Sequence, residues 1–439
     1  MNKSDSERIK TVLNNINLKE TDNEKDADII IMNTCSVRQR GENRVYSFAR
    51  KFDQLRKKDN KNTIIIVTGC MAGRDDDGEI KKKLPMVDLF FDINQIIKLP
   101  EMLSKLNHNI KSNNPLDEDY LKITPKYQNT YQGFIPIQTG CDQFCTYCVV
   151  PFARKRERNR DIKDILNEIR NFAKNGGLEI TLLGQIVDKY KIEDKSILSK
   201  NNPYKTDFAQ LLWEINQIEG IERIHFTAPH PKYINDEAID ALGLPKHINF
   251  LHIPVQSGSN KILEKMNRQH TREHYINLIK KIRKRHPNIA IGTDIMVGFC
   301  DETEEDFQDT IDLYKECDFD ISYTAQYSDR SGTLAHKAFK DNISIEEKKK
   351  RWKILHELMG EITARKNKKY KDKVVSVLFD EYRKGMAKGW SKEMKQVEVK
   401  SNNDLSGQIL DVKITNPLTW ILEGQLVNSI ESKALPILN

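Results

Sequence analysis

The 439-residue chain contains no long hydrophobic run. Its apolar stretches, IIIM at 29–32 and IIIV at 64–67, fall far short of the roughly 20 residues that span a bilayer. No membrane association is expected. The start, MNKSDSERIK, lacks the apolar segment of a secretory leader. Cysteine is scarce and odd in number: Cys35, Cys70, Cys141, Cys145, Cys148, Cys300 and Cys317. An odd set in a long chain without a leader argues against a disulfide framework. It favours metal-binding or catalytic thiols in a reducing cytoplasm.

What is present is a globular balance, 38% hydrophobic and 31% charged. The length exceeds what one core fills, so two to three domains are expected. A net charge of +7 and a pI near 8.8 permit an anionic partner such as nucleic acid. A chain this rich in Lys, Asn and Ile carries lysine everywhere, so local clusters weigh more than the total.

Residues 1–115 read as a doubly wound α/β domain. SERIKTVLNNI (6–16) has apolar residues at helical spacing, with Ser4 and Asp5 placed to cap it. ADIIIMNTC (27–35) and NTIIIVTGC (62–70) each put a cysteine just past a buried strand. In an open α/β sheet that carboxyl edge binds ligands, which makes Cys35 and Cys70 candidate ligands. Residues 116–130, polar with Asn and Pro, read as a linker. From 131 to 368, strand-like runs at 133–141, 178–184, 223–228, 249–258, 289–299 and 321–328 alternate with helical ones. That pattern predicts a parallel, partial β/α barrel with its chemistry at the carboxyl ends of the strands. Residues 369–434 hold short strand runs between turns and predict a small antiparallel β-barrel.

GCDQFCTYC, residues 140–148, spaces Cys141, Cys145 and Cys148 by three and then two residues. Structural zinc is held by four ligands, and no neighbouring histidine completes the set. A four-iron cluster on three cysteines keeps one iron open and fits better. An open iron can take a small molecule by its amine and carboxylate and pass it an electron. RKRERNR follows directly, with Arg154, Lys155, Arg156, Arg158 and Arg160. Elsewhere such a run is a solvated face; beside a reactive loop it is a candidate for RNA phosphates. Cys300 and Cys317 lack such company and read as packing residues.

The cysteine spacing, with Tyr147 before the third thiol, resembles the signature of radical S-adenosylmethionine (SAM) enzymes. NTCSVR (33–38), GCMAG (69–73), CTYCVVPFAR (145–154), LLGQ (182–185), HPK (230–232) and MNRQHT (266–271) extend the resemblance to the methylthiotransferase family. It covers nearly the whole chain and is closest to the branch that modifies N6-isopentenyladenosine in tRNA. The resemblance implies two four-iron clusters, a catalytic one on Cys141, Cys145 and Cys148 and an auxiliary one using Cys35 and Cys70. It implies SAM contacts from Tyr147, Gly176, Gly177, Glu179, Gln185, Ser257 and Asp294. Of these, Gly176 and Gly177 can also be a helix C-cap before a strand. It implies a C-terminal TRAM domain that grips the anticodon stem-loop, an electron donor such as flavodoxin or ferredoxin, and a monomer.

The implied chemistry is a SAM-derived radical that removes hydrogen from carbon 2 of the adenine at position 37. The auxiliary cluster then supplies sulfur and a second SAM the methyl group. The target base has to leave the stack to be reached. Two other readings stay open: the same reaction on threonylcarbamoyl-adenosine, and a non-catalytic RNA-binding protein with a structural iron–sulfur or zinc site. Three departures from the family pattern are visible. Lys155 stands where relatives carry glycine, and Cys300–Asp301 where they carry Pro-Gly. The family's first auxiliary cysteine lies in a GCQMN turn, of which only Met1 and Asn2 match. The expectation is a coding start upstream; the alternative is genuine loss, leaving a SAM-cleaving protein that does not thiolate.

Overall fold

The computed structural model describes residues 1–36, 39–111, 119–127 and 129–427. The end of NTCSVR, part of the expected linker and the expected domain end at 434 lie outside these residues.

Three parallel strands, β1 (Ile29–Thr34), β2 (Ile64–Gly69) and β3 (Leu89–Phe90), form the first sheet in that order. Successive side chains of β2 point to opposite faces, and both faces are covered. Ile64 and Ile66 pack with Ile9 and Val12 of the helix Asn2–Asn15 and Leu99 and Leu103 of the helix Leu99–Leu106. Ile65 and Val67 pack with Val45, Ala49 and Phe52 of the helix Gln39–Lys58. The doubly wound arrangement is as expected, but Ser4 and Asp5 do not cap the first helix. They lie inside it and are fully buried, where Asp5 meets Arg154 and Tyr120. The stretch expected as a linker is also different. Tyr120, Leu121 and Ile123 are buried in the first domain's core, because the apolar residues among the polar ones share one packed side.

The second part holds β4 (Gln132–Pro136), a short antiparallel pair β5 (Gln138–Thr139) and β6 (Arg158–Asn159), β7 (Glu179–Leu183) and β8 (Arg223–Phe226). β9 (Phe250–His252), β10 (Ala290–Val297) and β11 (Ile321–Gln326) follow. Two parallel sheets result, β4-β7-β8 and β9-β10-β11. Ile224 bridges them, donating to the Lys246 carbonyl at 2.7 Å and accepting from Ile248 N at 3.0 Å. Helices such as Ile162–Lys174 and Arg272–Arg285 cover the outside around one apolar core. This is the expected half-barrel of six parallel strands, and it brings six strand ends to one mouth.

β12 (Val374–Arg383), β13 (Met386–Ser391), β14 (Gln396–Lys400), β15 (Ile409–Pro417) and β16 (Leu422–Leu426) close a small barrel, β12-β13-β14-β16-β15. The β14–β16 pair is parallel, unlike the other four pairings. An odd ring of strands cannot alternate direction all the way round. Among the described residues no helix is long and apolar enough to cross a membrane.

Candidate active site at the barrel mouth

β4 and β5 deliver the chain to Gly140, whose φ of +79° starts the cysteine loop. A side chain there would come within 1.9 Å of the Arg156 carbonyl, so glycine is required. The loop is clamped from a distant segment. Thr146 N donates to the Met266 carbonyl at 3.1 Å and Thr146 Oγ1 to the Lys265 carbonyl at 2.9 Å. Asn267 Nδ2 donates to the Gln143 and Phe144 carbonyls at 3.1 and 3.2 Å. Val150 N donates to Cys148 Sγ at 3.4 Å.

Cys141 is buried; Cys145 and Cys148 are half-buried. Burial, with the neighbouring thiols, pushes Cys141 up to about 11 and Cys148 higher still. Metal ligands have to be thiolates, so a metal centre bound here would have to displace these protons. Among the described residues no three His, Cys, Asp or Glu side chains form a site for a single metal ion. A cluster places its three thiolates on three different irons, so they need not converge on one point.

Around the loop stand Gln143, Gln185, Asp188, His230, Arg268 and His270. The rings of His230 and His270 are 5.6 Å apart. Asp188 accepts from His230 N at 3.0 and 3.1 Å, and burial pushes its carboxyl up to about 8. Burial and the Arg268 charge hold His230 down to about 2 and His270 to about 3, so both are neutral imidazoles. Gln143 Oε1, Gln185 Oε1, His230 Nε2, His270 Nε2 and Arg268 Nε are enclosed without a hydrogen-bond partner. Unpaired buried polar atoms are costly unless a ligand takes them up. The donors and acceptors at this mouth fit a zwitterionic small molecule such as SAM. Apart from Gln185, these residues were not among the sequence candidates, although His230 and Arg268 stand in the HPK and MNRQHT segments.

Tyr147 lies within the cysteine loop, and Gln185 lies two residues past the carboxyl end of β7. Tyr147 packs against Ile262, Met266, Phe299 and Cys300 and faces Arg268, Cys145, Cys148 and Asp294. Asp294 lies on β10 with its carboxylate 3.1 Å from His252 Nε2. Gly176, Gly177 and Glu179 are elsewhere, at the amino end of β7 and away from the mouth. Gly176 (φ +88°) and Gly177 terminate the helix Ile162–Lys174, their N–H groups donating to Ala173 and Phe172 carbonyls. Glu179 Oε2 pairs with Arg223 Nε at 2.8 Å, and Arg223 donates to the Trp390 and Ser391 carbonyls of the small barrel. These three are structural, because a strand's first residue points its surroundings to the barrel's other end. Ser257 is fully enclosed and accepts from Ser259 N at 3.2 Å in the turn that starts the helix Asn260–Lys265.

Thr34 and Gly69 are paired neighbours at the ends of β1 and β2, which places Cys35 and Cys70 side by side. The Met1 amine is enclosed facing Asp5, Arg154, Cys70 and Cys35, and burial lowers its pKa. The short helix Cys70–Gly73 lies against Val150–Ala153; a side chain at Gly73 would come within 2.2 Å of the Ala153 carbonyl. Both cysteine sites therefore flank one contact between the first domain and the barrel. Cys300 and Cys317 are buried in apolar surroundings, as expected.

The basic run divides. Arg154 is buried against Asp5, and Arg160 against Glu168, so neither presents its charge to a partner. Lys155, Arg156 and Arg158 are exposed, paired with Asp76, Asp142 and Asp119. Lys155 and Asp301, the two positions where the family pattern is expected to carry glycine, both have φ +61°, the left-handed conformation that favours glycine.

The half-barrel with an open three-cysteine loop at its mouth defines the class: this is a radical SAM protein. The Radical SAM superfamily pattern matches residues 135–314, and that of the uncharacterized protein family UPF0004 matches residues 1–92. The chain is 41% identical over 436 residues to the tRNA-2-methylthio-N(6)-dimethylallyladenosine synthase of Clostridium tetani, covering 97% of this chain and 94% of that protein. It is 38% identical over 439 residues to the synthase of the same name from Finegoldia magna, covering 98% and 92%. The chain belongs to the tRNA-2-methylthio-N(6)-dimethylallyladenosine synthase family. Among solved structures, the radical S-adenosylmethionine methyltransferase TsrM from Kitasatospora setae, with tryptophan substrate and a SAM analog bound, shares the fold. Its TM-score is 0.54 at 14% identity over 74% of this chain and 70% of that one. The radical SAM class carries SAM and a four-iron cluster.

Proposed function

We propose that the chain adds a methylthio group to carbon 2 of N6-isopentenyladenosine at position 37, beside the anticodon of tRNA. The observation that carries this is the clamped three-thiol loop, ringed by unpaired buried polar atoms, in a chain whose relatives are named for that reaction. Cys141, Cys145 and Cys148 would hold the catalytic cluster, and Cys35 and Cys70 would contribute to a second. When bound, these clusters and SAM supply a carbon radical, a sulfur atom and a methyl group. A radical suits this target because an aromatic C–H has no acidic proton for a base to take.

The chain's own side chains bind, orient and exclude water. Tyr147, Gln185 and Asp294 would line the SAM site, with Gln143, His230 and His270 offering neutral hydrogen-bonding groups. Keeping both imidazoles uncharged leaves them able to accept as well as donate. Lys155, Arg156 and Arg158 would exchange carboxylates for RNA phosphates. Exposed ion pairs are worth about 0–1 kcal/mol, so that exchange costs little. The closed barrel within residues 369–434 would grip the anticodon stem-loop, beside domains at 1–115 and 131–368. The protein would work as a cytoplasmic monomer served by a flavodoxin- or ferredoxin-like donor.

Nucleoside mass spectrometry of tRNA from a strain lacking this gene tests the reading. Isopentenyladenosine without its methylthio group is expected. Full methylthiolation there, with the loss falling on threonylcarbamoyl-adenosine instead, would transfer the assignment to that substrate. Zinc without acid-labile sulfide in the anaerobically reconstituted protein would favour a binding role.

A further inference from the structure

Most buried arginines of this protein face a carboxylate: Arg154 faces Asp5, Arg160 faces Glu168, Arg223 faces Glu179 and Arg351 faces Glu302. Arg268 differs. It is 6% exposed, and among the described residues no carboxylate oxygen lies within 4.0 Å of its guanidinium. Asp188, an acidic group that faces it, spends both oxygens on His230 N. Arg268 Nη2 donates to the Pro254 carbonyl at 2.9 Å, and Nη1 donates to Cys145 Sγ at 3.6 Å. Its remaining neighbours of consequence are Tyr147 and Cys148.

An enclosed guanidinium without a counter-charge is strongly unfavourable. Beside Asp188, which is spent on His230 N, and the Tyr147 hydroxyl, the groups within reach that can become anionic are the thiols of the cysteine loop, and Cys145 Sγ is the one the guanidinium donates to. The turn that carries Arg268 is also held in place at a cost. Asn267 (φ +55°) and Gln269 (φ +53°), on either side, are both left-handed. The same turn clamps the loop through Asn267 and Met266. One short segment therefore fixes the thiols and aims a permanent positive charge at them.

We propose that Arg268 is the built-in counter-cation of the cluster on Cys141, Cys145 and Cys148 and sets how readily that cluster takes an electron. This rests on the reading of the loop as a cluster site. The step concerned is a one-electron transfer from a low-potential flavin or iron–sulfur protein. The donor is oxidised by one electron, the cluster with its thiolates gains one negative charge, and no bond forms or breaks. A fixed cation and an N–H donated to a ligating sulfur both favour the more negative state, so both raise the midpoint potential. Arg268 is thus a positioning and tuning residue for the electron-accepting step.

The test is a potentiometric titration of the anaerobically reconstituted full chain without SAM, followed by electron paramagnetic resonance. A Cys35→Ala, Cys70→Ala background confines the signal to the loop. Wild type, Arg268→Lys and Arg268→Gln are compared at equal iron and sulfide content. A lower midpoint is expected for Arg268→Gln, with Arg268→Lys closer to wild type. An unshifted Arg268→Gln, or an Arg268→Lys displaced as far as Arg268→Gln, overturns the proposal. Should Arg268→Gln hold too little iron to titrate, retention decides. Iron kept by Arg268→Lys and lost by Arg268→Gln supports a counter-cation; iron lost equally by both overturns it. Wild type that takes up no iron and sulfide would instead sink the cluster reading itself.

Discussion

Glu179 opens β7 and Gln185 stands two residues past its last, and the surroundings at the two ends of that strand differ in how charge is paired. At the amino end the charges are matched. Glu179 meets Arg223, and Arg223 ties the half-barrel to the carbonyls of Trp390 and Ser391. At the carboxyl end Gln185, His230, His270 and Arg268 each keep an enclosed polar atom unpaired. Ion pairing holds the domains together at one end; at the other, enclosed groups with no charge partner leave more for a ligand to gain by binding. In parallel barrels stability concentrates at one face and chemistry at the other.

That contrast can be broken experimentally. The largest effect is expected from Cys145→Ala at the mouth. Methylthiolation of tRNA in vitro should fall by at least about 10³-fold, while the thermal midpoint of the unreconstituted protein stays close to wild type. A large loss of stability would show that the loop is structural rather than chemical. Next is Glu179→Ala at the far end. It leaves Arg223 buried without a counter-charge, which costs about 3–5 kcal/mol by chemical denaturation. The folded variant should keep its affinity for SAM. Weakened SAM binding with unchanged stability would return Glu179 to the active site.

The contact between the first domain and the barrel gives a smaller, pH-dependent effect. Burial pushes the Asp5 carboxyl up, but the Arg154 guanidinium outweighs this and holds it below the usual carboxylate range. A carboxyl whose folded pKa lies below its unfolded one stabilises the fold fully above the unfolded value, about 4. That stability is lost as pH falls through the lower, folded value. Asp5→Asn should therefore be clearly less stable than wild type at pH 7, with the gap closing toward pH 3. A gap independent of pH would mean that packing, not charge, makes the contact.

The smallest effects belong to the exposed part of the basic run. Arg156→Ala should weaken tRNA binding modestly and lower the slope of log affinity against log salt by about 1. Lys155→Gly relieves a left-handed non-glycine backbone, so a gain of up to about 1 kcal/mol is expected, less the Asp76 ion pair. A destabilised Lys155→Gly would show that the ion pair matters more than the backbone.

Six barrel strands, the cysteine loop and the repeated strand-then-cysteine pattern were legible because each is written in neighbouring residues. Alternation, apolar runs and thiol spacing are local properties. Glu179 was misplaced for a related reason. GGLE resembles a cofactor-binding segment, but spacing alone does not say which end of the strand it occupies. RKRERNR likewise reads as one cationic patch, although two of its five basic side chains turn inward to Asp5 and Glu168.

By itself the sequence determined the element types and the three thiols in one loop, since these are written in neighbouring residues; the need for glycine at position 140 came from the fold, which sets the Arg156 carbonyl against it. Only the tertiary structure decided which charges are answered. Asp5 reaches Arg154 across 149 positions, and Arg268 reaches Cys145 across 123. Burial turns such distant neighbours into strong determinants, because a charge removed from water is governed by whatever the fold brings beside it.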